Sequence, residues 1–320
     1  MTPAQLRAFS VTVRLGSVKA AAADLSVTEA AVSMHIAHLR KELGDRLFTR
    51  TANGLAFTPG GLRLASRAAE MLGLQEQTVL EVRQAGSGRR LLRVAASSLF
   101  AEYAAPGLIE LFAGRADDLD VELSLHDPQR FGLLLAERTV DVAIGPRPAT
   151  IDDTMTCTHF LNYQLIAVVG ADHPLAARSG PARIAELRDQ TWLLGPSAVG
   201  RVGLVPAVVR RIGVAEHNQR IFQSHAAAVD EAKHGKGIAL AVASAVTKDL
   251  ADGGLHEVNG PQLPARGSWN LLALGDREAL PAAAELRRFV TTPRAIQAML
   301  RGAGVTPGRF RPAIHVTLWS

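Results

Sequence analysis

Two helix starts follow one another closely near the beginning of the chain, in the run GSVKAAAADLSVTEAAV that begins at Gly16. Ser17 is a favourable N-cap for the alanine-rich segment after it, because its hydroxyl can accept a hydrogen bond from a free amide of the first turn. Thr28 is a second N-cap, and Glu29 after it suits the positive end of the helix dipole. This spacing predicts two short helices joined by a tight turn.

The second helix has one apolar face. The residues that recur at helical spacing and predict its buried stripe are Val32, Ile36, Leu39 and Leu43. The positions that then face outward are Glu29, Ala30, Ser33, Met34 and Ala37. Beyond this helix, RLFTRTANGLAFT contains two short strand-like segments around Asn53-Gly54, a typical hairpin dipeptide. Together these segments predict a winged helix-turn-helix.

Charge is unevenly spread along the 320 residues. Residues 1–93 hold 13 Arg and Lys against 7 Asp and Glu, whereas residues 94–320 hold 22 against 23. A basic segment joined to a nearly neutral body is typical of a module that binds a polyanion, although a solubilising surface would have the same composition.

The composition predicts a soluble intracellular protein. Apolar residues make up 48% of the chain, enough for buried cores. The single cysteine, Cys157, has no partner for an intrachain disulfide, which favours a reducing cytoplasm. The N-terminus has no apolar secretory segment, and the run GIALAVASAV is shorter than the roughly 20 residues that span a membrane.

A long helix is predicted after the wing, beginning at Pro59. Its positions at heptad spacing are Ala65, Ala68, Leu72, Gln75, Val79, Val82 and Gly86. This seam predicts a dimerisation helix over residues 59–90; the alternative is a helix that packs on its own domain.

The remainder, to about residue 298, alternates strand-like and helix-like runs, which predicts mostly parallel α/β sheets. The strand-like runs are LLRVAAS, DVELSLH, VDVAIG, QLIAVVG, TWLLG, QRIFQS, GIALAV and WNLLALG. Ligands of such sheets bind beyond the carboxyl ends of the strands, where Ser97 and Ser98 follow the first run.

The chain resembles the LysR-type transcriptional regulators over nearly its whole length. The residues that carry the resemblance are Leu6, Phe9, Gly16, Ser17, Ala20 to Ala23, Leu25, Val27, Ala31, Val32, Ser33, Ile36, Leu39, Glu42, Leu43, Gly44, Leu47 to Thr51, Thr58 and Gly61, with DVAIG, HPLA and GKGIAL further on. Departures from the family pattern are Glu29-Ala30, Met34 and Val242. The tail after residue 298, RGAGVTPGRFRPAIHVTLWS, extends past the usual end.

The resemblance implies an α/β protein with a winged helix-turn-helix DNA-binding domain at 1–58, a linker helix at 59–90 and an effector domain at 91–298. That domain is like the periplasmic binding proteins: lobe 1 takes about 91–162 and 268–298, lobe 2 about 163–267, and a small ligand lies between them. The chain departs from the family in a basic extension at 299–320, which can be disordered or can pair with a lobe edge or a neighbouring subunit. We expect it to be ordered, because Phe310, Ile314 and Trp319 need covering. The resemblance also implies a homodimer or homotetramer on double-stranded promoter DNA, in contact with RNA polymerase.

We expect the start of the second helix to contact base edges and its surroundings to hold phosphates. Glu29 can accept a hydrogen bond from cytosine N4, or it can serve the helix dipole only. Arg50 can contact a phosphate or form an internal salt bridge. The DNA-binding candidates are Lys19, Thr28, Glu29, Ala30, Ser33, Met34, His35, Arg50, Thr51 and Asn53.

The effector-binding candidates all follow strands. They are Ser97, Ser98, Phe131, Arg147, Gly195, Pro196, Ser197, Ser224 and His225. Ser97 and Ser98 can instead simply cap a helix, and Arg147 pairs with a carboxylate ligand or lies on the surface.

Neither catalysis nor a metal or other cofactor is expected. No G-x-S-x-G motif surrounds the serines, and the pairs His35 with His38 and Cys157 with His159 lack further ligands at suitable spacing. Besides an effector-responsive regulator, the sequence leaves open a cytoplasmic small-molecule sensor and an architectural DNA-binding protein whose cleft is silent.

Overall fold

The computed structural model describes residues 1–51, 54–178, 180–275 and 278–301, without the side chains of Arg50 and Ser87. The described chain divides into two compact units. The first comprises Met1–Ser87 and Ala136–Thr139, and the second comprises Gly88–Leu135 and the chain from Val140 onward. Most of the predicted C-terminal extension, residues 302–320, lies outside the described residues.

The first unit begins with the predicted helices. Its elements are α1 (Pro3–Leu15), α2 (Val18–Asp24), α3 (Glu29–Leu43), β1 (Phe48–Thr51), β2 (Gly54–Phe57) and α4 (Pro59–Ser87). Both predicted caps are confirmed: Ser17 Oγ accepts from the Ala20 amide at 3.3 Å, and Thr28 Oγ1 accepts from the Ala31 amide at 3.2 Å. Gly44 ends α3 in the left-handed region at φ 64°, which a residue without Cβ adopts readily.

The core of this unit confirms most of the predicted stripe. Val32, Ile36 and Leu39 are buried against α1 and α2. The prediction was wrong for Leu43, which is 43% exposed, because it is the last residue of α3 and lies beyond the turn that contacts the core. Strands β1 and β2 pair antiparallel, with Thr51 opposite Gly54, as the predicted wing requires.

Helix α4 packs on its own domain over its first half. Ala68 is fully buried in the core of the first unit, and Ala65 and Leu72 pack against that core. Arg7 of α1 also donates to Glu76 of α4 at 3.0 Å. The predicted heptad seam is therefore not an exposed face there, because α1 covers it. The later seam residues Gln75, Val79 and Val82 are exposed.

The second unit is an α/β domain. Its helices are α5 (Ser98–Tyr103), α6 (Ala105–Ala113), α7 (Phe131–Ala136), α8 (Ile184–Arg188), α9 (Leu204–Ile212), α10 (His225–Lys233), α11 (Thr247–Ala251), α12 (Pro281–Phe289) and α13 (Pro293–Arg301). Its strands are β3 (Arg90–Ala96), β4 (Leu119–Leu125), β5 (Val142–Gly145), β6 (Met155–Gly170), β7 (Trp192–Leu194), β8 (Gln219–Ile221), β9 (Ile238–Val242), β10 (Leu255–Val258) and β11 (Ala265–Leu274).

Two long strands join the lobes of this domain. The sheet order is β4-β3-β5-β11-β6-β9-β7-β8, and β10 also pairs with β6. Strands β3 to β5 belong to lobe 1 and β7 to β10 to lobe 2, whereas β6 and β11 run antiparallel through both. Tyr163 pairs with Gly267 at the crossing, where a Cβ on Gly267 would lie 2.5 Å from the Tyr163 ring. The chain thus crosses between the lobes twice, as expected.

The expectation of mostly parallel pairing was wrong for the crossing strands. Pairing is parallel within each lobe, for β3 with β4 and β5 and for β7 with β8 and β9. It is antiparallel wherever β6 or β11 takes part, because these strands return through the sheet. Strand β10 and the first half of β6 were not predicted, since neither carries a continuous apolar run.

Candidate functional site

The start of α3 presents an uncovered face. Glu29, Ala30, Ser33 and Met34 are exposed, and Met34 is exposed over 52% of its surface. Thr28 caps the helix beneath them, and His35 is half-buried at the edge of this face. Within the described part of the chain Glu29 makes no ion pair, so its carboxylate is available to an outside donor.

The predicted phosphate contacts are only partly described. Lys19 is exposed on α2, and Thr51 is exposed on β1, where its hydroxyl donates to the Gly54 carbonyl at 3.2 Å. The main chain of Arg50 lies in β1, but its side chain lies outside the described residues, as does the whole of Asn53.

Beside this face a groove lies between α3 and the wing. Its lining consists of Val18, Ser33, Ile36, Arg40, Arg46, Phe48 and Thr49. Arg40 donates to the Phe48 carbonyl at 2.7 Å and lies 4.8 Å from the centre of the Phe48 ring, so its charge holds α3 against β1. Arg46 and Thr49 are exposed, and Arg46 makes no ion pair with any described residue.

Arg46 and Thr49 were missed by the sequence analysis. For Thr49 a signal was present, because its neighbour Phe48 is an inward position of a strand and Thr49 must face the other way. Both side chains are suited to phosphate oxygens, and both lie beside Ser33, which lines the same groove.

The wing is fastened to the helices through Asp45. Its Oδ1 accepts from the Thr58 hydroxyl and from the Leu47 amide, each at 2.6 Å. These bonds hold the pKa of the Asp45 carboxyl below its usual range, the Thr58 bond having the largest effect. The wing therefore has a fixed position relative to α3 and the start of α4.

In the second unit a cavity of about 280 Å³ opens between the lobes. It is lined by Ser97, Ser98, Leu99, Leu125, His126, Asp127, Pro128, Pro146, Tyr163, Pro196, Ser197, Val199, Gly200, Val202, Gly203, Leu204 and Val205. The volume suits a small molecule, and the site lies beyond the carboxyl ends of β3, β4 and β7. Four predicted residues, Ser97, Ser98, Pro196 and Ser197, thus meet at one site.

Ser97 and Ser98 have different roles in this cavity. Ser97 stands at the N-cap position of α5, yet its hydroxyl caps nothing; it is 6% exposed and has no hydrogen-bond partner among the described residues. Ser98 Oγ lies 2.9 Å from Ser197 Oγ in lobe 2. The Ser97 hydroxyl is therefore buried without a partner among the described residues, while the Ser98 hydroxyl links the lobes.

His225 and Glu102 extend this link behind the cavity. Ser197 Oγ lies 2.9 Å from His225 Nε2, and burial lowers the pKa of His225 to about 4, so its imidazole is neutral at pH 7. Glu102 of α5 accepts from the amides of His225 at 2.8 Å and Ala226 at 2.5 Å, at the start of α10. Burial raises the pKa of Glu102, while these two bonds oppose the shift.

Other predicted residues lie outside the lining. Phe131 is fully buried in the core of lobe 1, against Gly145. Arg147 is exposed, with an Nη1 atom 3.8 Å from Cys157 Sγ. Gly195 packs against the His225 ring, and Ser224 caps α10 through the Ala227 amide at 3.1 Å. Of these residues, only His225 is linked to the cavity lining, through its hydrogen bond with Ser197.

The lining missed by the sequence analysis comprises Leu99, Pro146 and Tyr163 and two longer segments. Leu125 to Pro128 lie at the carboxyl end of β4, so the expectation that ligands bind beyond strand ends, which located Ser97, applies to them too. Phe131 lies too far past the end of β4 to line the cavity. Val199 to Gly203 lie in a loop with no periodic signal, and Leu204 and Val205 form the start of α9 after it. Among the described residues no group of three or more His, Cys, Asp or Glu could hold a metal ion, and no described helix is long and apolar enough to cross a membrane.

Comparison with known proteins extends over both units. Residues 3–62 match the model of the bacterial regulatory helix-turn-helix protein, lysR family, and residues 85–294 match the LysR substrate binding domain. An uncharacterized HTH-type transcriptional regulator of Mycobacterium tuberculosis is 57% identical over 323 residues, covering 100% of both chains.

More distant proteins share the same organisation. The HTH-type transcriptional regulator CbbR of Sinorhizobium medicae is 27% identical over 296 residues, covering 89% of this chain and 91% of its own. Among solved structures, a hydrogen peroxide-bound mutant of Corynebacterium glutamicum OxyR has a similar fold, with a TM-score of 0.52, 22% identity and 94% of each chain covered. With both family models matched in order, and with a winged helix-turn-helix and a two-lobed α/β domain both present, the chain belongs to the LysR family of DNA-binding transcriptional regulators.

Proposed function

We propose that the protein binds promoter DNA through the start of α3 and that an effector between the lobes changes this binding. The observation that carries the proposal is the uncovered face of Glu29, Ala30, Ser33 and Met34 on a capped helix beside a fixed wing. A helix that enters the major groove contacts base edges with its first turns, and these four side chains occupy those turns.

The four side chains fit bases better than phosphates. The Glu29 carboxylate accepts a hydrogen bond from cytosine N4, and Ala30 and Met34 provide apolar contact for thymine methyl groups. Positive charge lies around them, on Lys19 and Arg46. This arrangement gives sequence preference to the helix and general affinity to its surroundings.

Assembly through α4 is part of the proposal. The apolar residues that this helix leaves exposed are Leu62, Met71, Leu74, Val79 and Val82, and Val82 is 67% exposed. Exposed apolar residues on one long helix favour a helix–helix contact with a second copy. We therefore propose a homodimer, or a homotetramer built from such dimers, which contacts RNA polymerase at the promoter.

The cavity is proposed as a binding site only, without catalysis. Ser197 has a histidine partner, but a His225 pKa of about 4 makes this imidazole a weak general base at pH 7. We propose no metal or cofactor besides the effector, and we place the protein in the cytoplasm, where promoter DNA is found. The open cavity favours effector response over an architectural protein with a silent cleft.

The proposed DNA face is tested by fluorescence anisotropy with the DNA upstream of the gene and a shuffled duplex of equal composition. We expect the upstream DNA to bind about 10³-fold more tightly, at the lower end for specific regulators. Met34→Glu should remove this preference, because it places a carboxylate against the duplex.

Leu133→Glu is the matched control, since Leu133 is 53% exposed on α7, outside the DNA face. It should leave binding unchanged. Equal affinity for the upstream and shuffled duplexes, or equal effects of the two variants, would contradict the proposed function.

A further inference from the structure

We infer that the cavity between the lobes accepts an uncharged, largely apolar molecule that carries a hydrogen-bonding oxygen, and that it discriminates against carboxylates and phosphates. This inference rests on the proposed function of the cavity as the effector site. The family match alone leaves the chemical class of the effector open.

The walls of the cavity are mainly apolar. Lobe 1 contributes Leu99 and Leu125 with two prolines. Lobe 2 contributes Val199, Val202 and the start of α9, and Tyr163 lies at the crossing. The Tyr163 ring stacks on Trp269 at 4.5 Å between centroids, and burial raises the pKa of its phenol to about 12, so it is uncharged. Such walls gain from burying an apolar ligand.

The described lining of this cavity contains no Lys or Arg. Arg147, the predicted carboxylate partner, lies beside Cys157 instead. Burial lowers the pKa of His126, and the charge of Arg130 lowers it further, so this imidazole is neutral at pH 7. An anion would therefore lose its hydration without gaining a counter-charge.

The lining also contains a carboxylate of its own. Asp127 accepts from the Gln129 amide at 2.8 Å, and a Cβ on Gly200 would lie 3.4 Å from its other oxygen. Asp127 thus lies between the lobes, where it repels a ligand of negative charge. Arg201 is exposed between Gly200 and Val202 and is not part of the lining.

The helix terminus that would otherwise attract an anion is already occupied. The first amides of α10, which carry the positive end of its dipole, point to Glu102 of the same chain. His225 beside them is neutral and bonded to Ser197. The positive end of α10 is therefore satisfied within the chain.

Uncharged polar groups of the lining remain for the ligand. The Tyr163 phenol and the His126 imidazole line the cavity, and neither side chain has a hydrogen-bond partner among the described residues. A ligand that excludes water from these groups must bond to them, and a ligand oxygen that accepts from the Tyr163 hydroxyl does so. An alcohol, ketone, ester or amide provides such an oxygen without a charge.

The inference is tested with pairs of compounds that have the same shape and differ in charge. The pairs are benzamide and benzoate, cyclohexanecarboxamide and cyclohexanecarboxylate, and butyramide and butyrate. Their binding to the full-length protein at pH 7 is measured by calorimetry and by ligand-observed NMR. In the pairs that bind, the amide should bind at least about tenfold more tightly than the carboxylate.

Two variants that add the same charge place the effect in the cavity. Leu125 belongs to the lining and is 37% exposed, so Leu125→Arg adds a cation there without burying it. It should raise carboxylate affinity and reduce the preference for the amide about fivefold or more. Leu133→Arg, on α7 outside the lining, should leave the preference unchanged.

Three results of these measurements would contradict the inference. Carboxylates that bind the wild-type protein as tightly as the amides, or more tightly, overturn the inference but leave the effector function intact. Equal effects of Leu125→Arg and Leu133→Arg also overturn it, because binding is then elsewhere. If no member of any pair binds at millimolar concentration, both the inference and the proposed effector site are overturned.

Discussion

The DNA-binding face and the cavity between the lobes differ in how their polar side chains are exposed and paired. Around α3, Lys19, Glu29 and Arg46 are exposed and make no ion pair within the described chain. In the cavity, Ser98 bonds to Ser197, which bonds to His225. The first surface keeps its charges available for a large charged partner, whereas in the second the described lining has no cationic side chain and these three polar side chains bond to one another. One chain can therefore bind two ligands by different physical means.

Salt should separate the two sites most strongly. Raising the salt concentration from 50 to 200 mM should weaken DNA binding by roughly 10³- to 10⁵-fold, if about 6 to 10 phosphates are neutralised. The affinity of the wild-type protein for an uncharged amide should change by less than about twofold, because no counterions are released. Both are measured by titration of the same preparation. A flat salt response of DNA binding would remove the difference between the two sites.

Acid should weaken the second unit through His225. Burial lowers the pKa of His225 to about 4, so between this value and its usual 6.5 the unfolded chain binds the proton and the folded chain does not. Stability is therefore lost as the pH falls through this window. Between pH 7 and pH 5 the loss should be about 2 kcal/mol, or roughly 30-fold in the unfolding constant.

The measurement is urea unfolding followed by tryptophan fluorescence, since Trp192 and Trp269 lie in this unit. The control is His225→Gln, which keeps a polar group near Ser197 but does not titrate. The pKa values of His126 and His173 are also lowered by burial, and both residues remain in the variant. The difference between the two proteins therefore isolates His225, and the same acid response in both would contradict its role.

A smaller effect is expected from Arg46→Gln. If Arg46 contacts a phosphate, its loss should weaken binding several-fold for all sequences and reduce the salt slope by about 1. Arg294→Gln removes an equal charge from α13 in the second unit and should change neither quantity. An unaltered slope in Arg46→Gln would mean that the groove beside α3 does not hold the DNA backbone.

Local features of the fold could be predicted from the sequence. The caps Ser17 and Thr28 and the wing strands depend on neighbouring residues, so the sequence shows them directly. The first half of α4 could not be predicted in this way. Ala68 has the same heptad signal whether it meets a second chain or its own α1, and only the tertiary packing decides between them.

The same limit applies to the cavity. Ser97, Ser98 and Ser197 were located because they directly follow strands, and parallel strands bring their carboxyl ends together. Phe131 and Arg147 were placed by proximity in sequence, but the chain turns Phe131 into the core and Arg147 toward Cys157. The internal bonding of Glu102 joins residues far apart in the chain, and no local pattern marks it.

The start of α3 is expected to distinguish base sequences, while its surroundings provide affinity. The most direct test is selection of preferred sites from random duplexes by the wild-type protein and by Glu29→Gln, together with affinities for non-specific DNA. We predict that the preferred base changes at one position of each half-site, while non-specific affinity rises only slightly. An unchanged preferred site with a uniform gain of affinity for all DNA would contradict this division of roles and leave Glu29 as a partner of the helix dipole alone.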